Sequence, residues 1–341
     1  MTSRTASKAS SSDPAYRPSP HWMAVLAAVF TLPLLFVGGS VTTYRVGLAV
    51  PDWPTTFGIN MFLYDFWNAP LGVRIEHTHR LYGAAVGLAT IGLCVWFLVF
   101  EPRRWMKWLG VVALLAVIAQ GVLGGTRVTQ VSTFLAAVHG CTAMAFFGLM
   151  VALCVLTGRA WCSNQPPLRD RHYLRPLLFL FLGLVCVQIG LGAWVRHYGS
   201  AAALFSHAGM ALFVMIFALF LVFRVHSARR EATMLLPSAR LLGGAVLAQS
   251  VLGVLAFLGL LPWDGLPHPV RFYDAVFRTG HQSCAALVLA SAVVLALRAA
   301  RQFRPGAEVA GHGDETATYS DHSVAADSAS RSMSENLEVV A

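Results

Sequence analysis

Eight apolar stretches dominate this chain, each long enough as a helix to cross the roughly 30 Å hydrocarbon core of a bilayer. They run over approximately 22–43, 79–100, 106–125, 133–157, 174–195, 202–224, 239–261 and 275–299. What lies between them cannot supply a water-soluble surface. Of 341 residues 12% are charged and 56% hydrophobic, and mean hydropathy is +0.62. Seven of the sixteen carboxylates (Glu308, Asp314, Glu315, Asp321, Asp327, Glu335, Glu338) fall in the last 37 positions and Asp13 lies near the start, leaving eight for residues 14–304. A soluble globule is excluded, because ordinary soluble domains carry about 25% charged residues. The expected fold class is an all-α integral membrane protein of eight transmembrane helices.

The net charge of +9 does not point to nucleic acid, since the basic residues sit in short clusters between apolar runs and not on one face. They act as topology signals. Eighteen Lys and Arg fall in the tails and in the loops after the second, fourth and sixth stretches, against seven (Arg45, Arg74, Arg80, Arg127, Arg196, Arg271, Arg278) on the other side. The positive-inside rule then predicts cytoplasmic (or matrix) termini and an outward-facing 44–78 loop. Compact basic loops and the acidic tail favour a bacterial inner membrane over a mitochondrial one. The first stretch is too long for a signal h-region and lacks a cleavage site, so it is expected to remain. Residues 1–21 and 305–341, rich in Ser, Ala and charge, are expected to be disordered cytoplasmic tails. The six cysteines lie within helices or on the cytoplasmic side, so no structural disulfide is expected.

An internal repeat organises the body. Gln120-Gly-Val-Leu-Gly-Gly in the third stretch is echoed by Gln188-Ile-Gly-Leu-Gly-Ala in the fifth and Gln249-Ser-Val-Leu-Gly-Val in the seventh. Gln120 precedes His139 by nineteen residues, and Gln188 precedes His207 by the same number. The economical reading is two pseudo-symmetric four-helix halves, 22–157 and 174–299. The glycines themselves are accounted for by close helix packing in lipid, whatever the function.

Every even-numbered helix also carries a histidine in the outer third of the bilayer: His79, His139, His207 and His281. One intramembrane histidine could be a hydrogen-bonded core residue, but four at matched depth suggest a ligand set or a proton path. Imidazoles on facing helices can hold haem iron from both sides while apolar walls accept the porphyrin. Zinc would need further ligands, and only Cys141 and Cys284 stand near in sequence. Two haem sites, one per half, fit the pattern better. His77 is rotated about 200° from His79 and should face elsewhere.

The first half differs in carrying Glu76, three residues before His79, where the other histidines have Ala136, Leu204 and Arg278. Glu76 is read either as a favourable anion in the first turn of a helix or as a proton donor or acceptor at a reactive haem. Arg45, Arg80, Arg127, Arg196 and Arg278 recur at the outer boundary, where they can pair with haem propionates or with lipid headgroups. Pro51-Asp-Trp-Pro in the outer loop reads as a lid over the first site or as an interfacial anchor.

Together, Gly47-Leu-Ala-Val-Pro-Asp-Trp-Pro, the Glu76-His-Thr-His79-Arg80 element, the Gln120 and Gln188 repeats and the lone histidines 139, 207 and 281 resemble the haem A synthase family over about residues 22–299. The resemblance implies an eight-helix enzyme that oxidises the C8 methyl of haem O to the formyl group of haem A for cytochrome oxidase assembly. It implies His79 and His139 as ligands of the substrate haem, His207 and His281 as ligands of a haem b cofactor, and Glu76 as the acidic residue of the substrate site. Many members carry a cysteine pair in the first outer loop; residues 44–78 here contain none, so the chain is similar to the cysteine-free branch.

The chemistry so implied is two successive hydroxylations, giving an alcohol and then a hydrated aldehyde, with dioxygen as co-substrate and haem b passing electrons to the first half. Iron held by both His79 and His139 has no open position, so either one histidine leaves during turnover or oxidation takes another route. Haem O synthase, oxidase-assembly factors, an electron donor and a second copy of the chain are candidate partners. Two other classes account for parts of the pattern: a membrane b-type cytochrome that relays electrons without modifying haem, and a transporter with histidines on a proton path.

Overall fold

The computed structural model describes residues 16–163, 165–259 and 270–304. The expected tails at 1–15 and 305–341 lie outside the described residues. Eight long apolar helices form an all-α integral membrane protein: α1 (Pro18–Thr43), α2 (Leu71–Phe100), α3 (Arg104–Thr129), α4 (Thr133–Thr157), α6 (Leu174–Tyr198), α7 (Ala201–Ser227), α8 (Leu236–Leu258) and α9 (Phe272–Gln302). A single turn, α5 (Arg159–Cys162), follows α4. Two short strands, β1 (Leu168–Arg169) and β2 (Phe303–Arg304), pair in parallel beyond the helix ends.

Two boundaries depart from the sequence reading. α1 begins at Pro18, so residues 18–21 are helical and not part of a disordered tail. Proline suits a helix's first turn, where its missing N–H costs nothing. Tertiary bonds then hold the segment: His21 Nδ1 lies 3.1 Å from Thr157 Oγ1, and Arg17 Nη1 donates to the Phe100 carbonyl at 3.0 Å. α2 begins at Leu71, eight residues before the apolar window at 79–100. Arg74, Glu76 and Arg80 lower the hydropathy there, but Glu76 and Arg80 pair across one turn at 3.1 Å, so the charges need no water.

Helix starts follow local chemistry. Ser132 Oγ accepts from the Leu135 N–H at 3.2 Å to open α4, and Ser200 Oγ accepts from the Ala203 N–H at 3.1 Å to open α7. Asp170 accepts from the Leu174 and Arg175 N–H groups at the start of α6 (2.9 and 2.8 Å). Asp274, in the first turn of α9, accepts from the Arg271 N–H at 3.2 Å and from its Nε at 2.9 Å.

The helices pack as two closed rings, α1–α2–α3–α4 and α6–α7–α8–α9, joined where α1, α4, α6 and α9 meet. The first ring is filled by Leu93, Phe97, Met106, Met150 and Leu153. The second and the seam are filled by Leu178, Phe181, Leu221, Leu242 and Leu289. Outward faces carry large apolar side chains such as Leu88, Phe205 and Phe223, as a lipid solvent requires.

One charged pair ties the connection between α2 and α3 to α4. Glu101, 2% exposed, accepts from Arg103 Nε at 2.7 Å and Nη2 at 3.0 Å, while Arg103 Nη1 donates to the Leu156 carbonyl at 2.8 Å. Breaking a buried pair strands the surviving charge. Arg103→Met is therefore expected to lower stability by about 3–5 kcal/mol, with Glu101→Gln in the same chain recovering part of the loss, read from unfolding midpoints in detergent.

Candidate functional site

Four histidines form two pairs. His79 of α2 faces His139 of α4 with ring centroids 6.4 Å apart and planes at 86°. His207 of α7 faces His281 of α9 at 6.1 Å and 82°. Each pair joins the second and fourth helices of one ring.

Every one of these rings rests on a glycine of the preceding helix. A Cβ built on Gly38 (α1) would lie 2.8 Å from His79 Cε1, and one on Gly253 (α8) would lie 2.9 Å from His281 Cε1. For Gly124 (α3) against His139 and Gly192 (α6) against His207 the distance is 3.2 Å. Three of these glycines, Gly124, Gly192 and Gly253, stand four residues after the repeated Gln120, Gln188 and Gln249. The repeat that the sequence exposed as architecture is thus also the seat of the imidazoles, a role that sequence reasoning missed. The cue was present: a glycine one helical turn beyond each glutamine. Gly38 has Leu34 in the glutamine position, which hides it from that comparison.

The glutamines differ in what they hold. Gln188 Nε2 lies 3.0 Å from His207 Nδ1 and donates to the His207 carbonyl at 3.0 Å. Gln249 contacts both nitrogens of His281, its carbonyl 3.1 Å from Nδ1 and its Nε2 3.3 Å from Nε2. Gln120 instead donates to Thr142 Oγ1 at 2.6 Å.

Glu76 is 1% exposed. Its Oε2 accepts from the Val50 N–H at 2.9 Å and its Oε1 from Arg80 Nη2 at 3.1 Å. Arg80 also donates to the carbonyls of Val50 (2.8 Å), Asp52 (2.7 Å) and Thr55 (2.9 Å), so it straps the Pro51-Asp-Trp-Pro segment onto α2. Trp53 packs its ring directly on Gly125, where any side chain would collide. His77 faces away from His79, as its angular position predicts. It is fully buried on α2 beneath the loop that joins α1 to α2, with its Nδ1 3.1 Å from Thr56 Oγ1 and its ring against Tyr64 and Phe66.

Asp52 closes the turn beneath this strap. It accepts from the Thr55 hydroxyl and from the N–H groups of Phe57 (2.8 Å) and Gly58 (2.9 Å). Burial works to raise its pKa, but these donors outweigh it and hold the carboxyl down at about 2.

Arg127 approaches Gly47 and lies within electrostatic reach of Glu76, His79 and His139. Arg45, Arg196 and Arg278 gather near the second pair, where Arg196 Nη2 donates to the buried Thr43 Oγ1 at 3.0 Å. Among the described residues none of these four arginines has a carboxylate within ion-pairing distance.

The donor set fits haem iron better than zinc. Among the described residues no three His, Cys, Asp or Glu side chains converge on one point, and Cys284 gives its thiol to the Ala245 carbonyl at 3.4 Å. Two imidazoles with centroids just over 6 Å apart leave room for one metal at about 2.0–2.1 Å from a nitrogen of each. A Cβ at Gly83 or Gly87 of α2, one and two turns beyond His79, would meet no atom within 4 Å, so a flat group has space there. Among the described residues, His79 Nδ1 and His139 Nδ1 are buried without a hydrogen-bond partner.

The family model for a cytochrome oxidase assembly protein, COX15-CtaA, matches residues 72–205, which include Glu76, His79 and His139. Over these residues the chain is similar to the COX15-CtaA family. Three relatives carry the name heme A synthase. That of Shewanella oneidensis is 25% identical over 197 residues, covering 53% of this chain and 58% of the relative. That of Shouchella clausii is 28% identical over 192 residues, covering 53% and 60%. That of Rhodopseudomonas palustris is 27% identical over 213 residues, covering 51% and 55%. The matched stretch thus spans a little over half the length of these relatives.

Two outcomes follow. Gly253→Ala should push the His281 ring aside and reduce the haem retained by purified protein, whereas Gly244→Ala, on an exposed face of α8 where a Cβ meets nothing within 4 Å, should not; a pyridine haemochrome assay reads both. With its folded pKa below the unfolded value, Asp52 contributes loop stability that is complete above the unfolded pKa and is lost only as pH falls through about 2. Hydrogen exchange at Phe57 and Gly58, corrected for intrinsic rates, should be unchanged from about pH 7 to about pH 5 and accelerated at every pH in Asp52→Asn.

Proposed function

We propose that this protein is a haem A synthase that oxidises the C8 methyl group of haem O to a formyl group, giving haem A for cytochrome oxidase assembly. The observation that carries the proposal is the asymmetry between the two histidine pairs. A buried carboxylate, Glu76, sits one turn from His79, while the second pair has glutamine amides in contact with its rings. In this reading His79 and His139 hold the substrate haem, and His207 and His281 hold a haem b cofactor. When bound, haem iron with dioxygen supplies the oxidising power that a porphyrin methyl C–H bond demands, and haem b supplies electrons.

The rest is the chain's own work. Gly38 and Gly124 set the directions of His79 and His139, so substrate haem is held from two helices of one ring. Glu76 Oε1 and Oε2 take and return protons beside the reacting face, held in place by Arg80 and the Val50 N–H. Trp53, seated on Gly125, covers the site from outside and excludes water. Arg127 beside the first pair, and Arg45, Arg196 and Arg278 beside the second, would supply cations for haem propionates. Arg80 serves chiefly to hold the Val50–Thr55 segment, since its donors already meet three carbonyls and Glu76.

The same reading places the protein in a bacterial inner membrane with both termini cytoplasmic, which the distribution of Lys and Arg supports. The dense outer loop and its buried carboxylate have no use in a simple electron relay, so they favour the enzyme over a b-type cytochrome.

Glu76→Gln, nearly the same shape, is expected to keep bound haem but to lower conversion of haem O to haem A by about 100-fold or more. The assay is chromatography of haems extracted from cells that make haem O. Full conversion by this variant would remove Glu76 from proton transfer.

A further inference from the structure

At the membrane face opposite the histidine pairs, the structure holds a second feature that the synthase reading does not use. The start of α1, the end of α4, α5, Met234 and the end of α9 enclose a cavity of ≈ 620 Å³. Arg301 is twenty residues beyond His281 on α9, about 30 Å along the helix axis. The cavity therefore sits at the other end of the bundle, on the seam between the two rings.

Three arginines line it, together with His21, Trp22 and Trp161. Arg301 donates from Nε to the Trp161 carbonyl at 2.9 Å and from Nη2 to the Ser163 carbonyl. Arg298 donates from Nη1 to the Met234 carbonyl at 3.0 Å and to Ser238 Oγ at 3.2 Å. Arg159 stacks over the Tyr16 ring at 5.0 Å. These partners orient the guanidinium groups and neutralise none of them. Among the described residues no carboxylate lies within 4.0 Å of any of the three, so three uncompensated cations face one space, and Arg301 Nη1 and Arg298 Nη2 retain donors.

The other walls are hydrocarbon: Val151 and Val155 of α4, and Val294 of α9. Trp22 is 65% exposed at the cavity rim, and Leu26 and Val29 continue its outward apolar face along α1 at helical spacing. A ligand matching this surface has a negatively charged head for the arginines and a hydrocarbon tail that leaves sideways along α1. We propose that the cavity binds the phosphate headgroup of an anionic phospholipid and that the bound lipid braces the seam between the two rings. The positive-inside reading puts the cavity in the cytoplasmic leaflet, where anionic lipids concentrate and basic pockets between helices recruit them.

The test uses the full chain purified in neutral detergent. Dioleoylphosphatidylglycerol, dioleoylphosphatidylcholine and inorganic phosphate are added in separate titrations, with adducts counted by native mass spectrometry and the unfolding midpoint followed. Phosphatidylglycerol should be retained and raise the midpoint, and phosphatidylcholine should do neither. Arg159 makes no side-chain hydrogen bond among the described residues, so Arg159→Gln should fold normally and weaken phosphatidylglycerol binding by about fivefold, the equivalent of about 1 kcal/mol for one basic residue. Arg301→Lys, which keeps the charge, should retain most of the binding. Equal retention of both lipids, or wild-type binding by Arg159→Gln, overturns the proposal. Equal stabilisation by inorganic phosphate alone overturns the lipid as ligand in favour of a soluble anion.

Discussion

Four contacts between a glycine and an imidazole govern one end of this helix bundle. A histidine in hydrocarbon must be held by protein, because lipid offers neither hydrogen bonds nor a hydrophobic drive to bring helices together. A glycine on the preceding helix lets the two backbones approach until the ring has one place to lie. The space a methyl group would occupy at Gly38 or Gly253 is already taken by His79 or His281. Ring orientation thus follows from backbone packing, and the spacing of each pair follows from where two such helices meet. Any group held between the imidazoles inherits that precision.

The same constraint accounts for the first half's polar cluster. A carboxylate as buried as Glu76 is tolerable only with donors in place. Arg80 is one, and because the Val50 N–H is the other, the loop between α1 and α2 becomes part of the carboxylate's solvation. The loop in turn is kept in shape by Asp52, whose own charge is stabilised by backbone N–H groups and the Thr55 hydroxyl. Carboxylate, arginine and loop are therefore one unit. That unit explains why α2 continues eight residues beyond its apolar window.

Much of this was legible in the sequence, for identifiable reasons. Spans are set by runs of apolar residues, so the eight helices emerge from hydropathy with their ends displaced by a few residues. Matched histidines and the Gln repeat are periodic features and survive without coordinates. His77 could be separated from His79 by angle alone. What escaped were contacts between residues far apart in sequence. Nothing about Gly125 announces that Trp53 will lie on it, and nothing about Thr56 announces its bond to His77. The extension of α2 was hidden because hydropathy counts Arg74, Glu76 and Arg80 as costs and cannot see them paired. The start of α1 at Pro18 was hidden because its anchors, Thr157 and the Phe100 carbonyl, belong to other helices.

The pairing of each histidine with a glycine of the helix just before it bears on how the protein is built. Gly38 with His79, Gly124 with His139, Gly192 with His207 and Gly253 with His281 each lie within one helical hairpin of the ring packing. A hairpin entering the bilayer during synthesis can therefore position its own imidazole before any other hairpin exists. Only the meeting of two finished hairpins brings two rings to face each other. Each facing pair is thus a late product of assembly made from parts already in register, and the first pair can close while the second half of the chain is still on the ribosome.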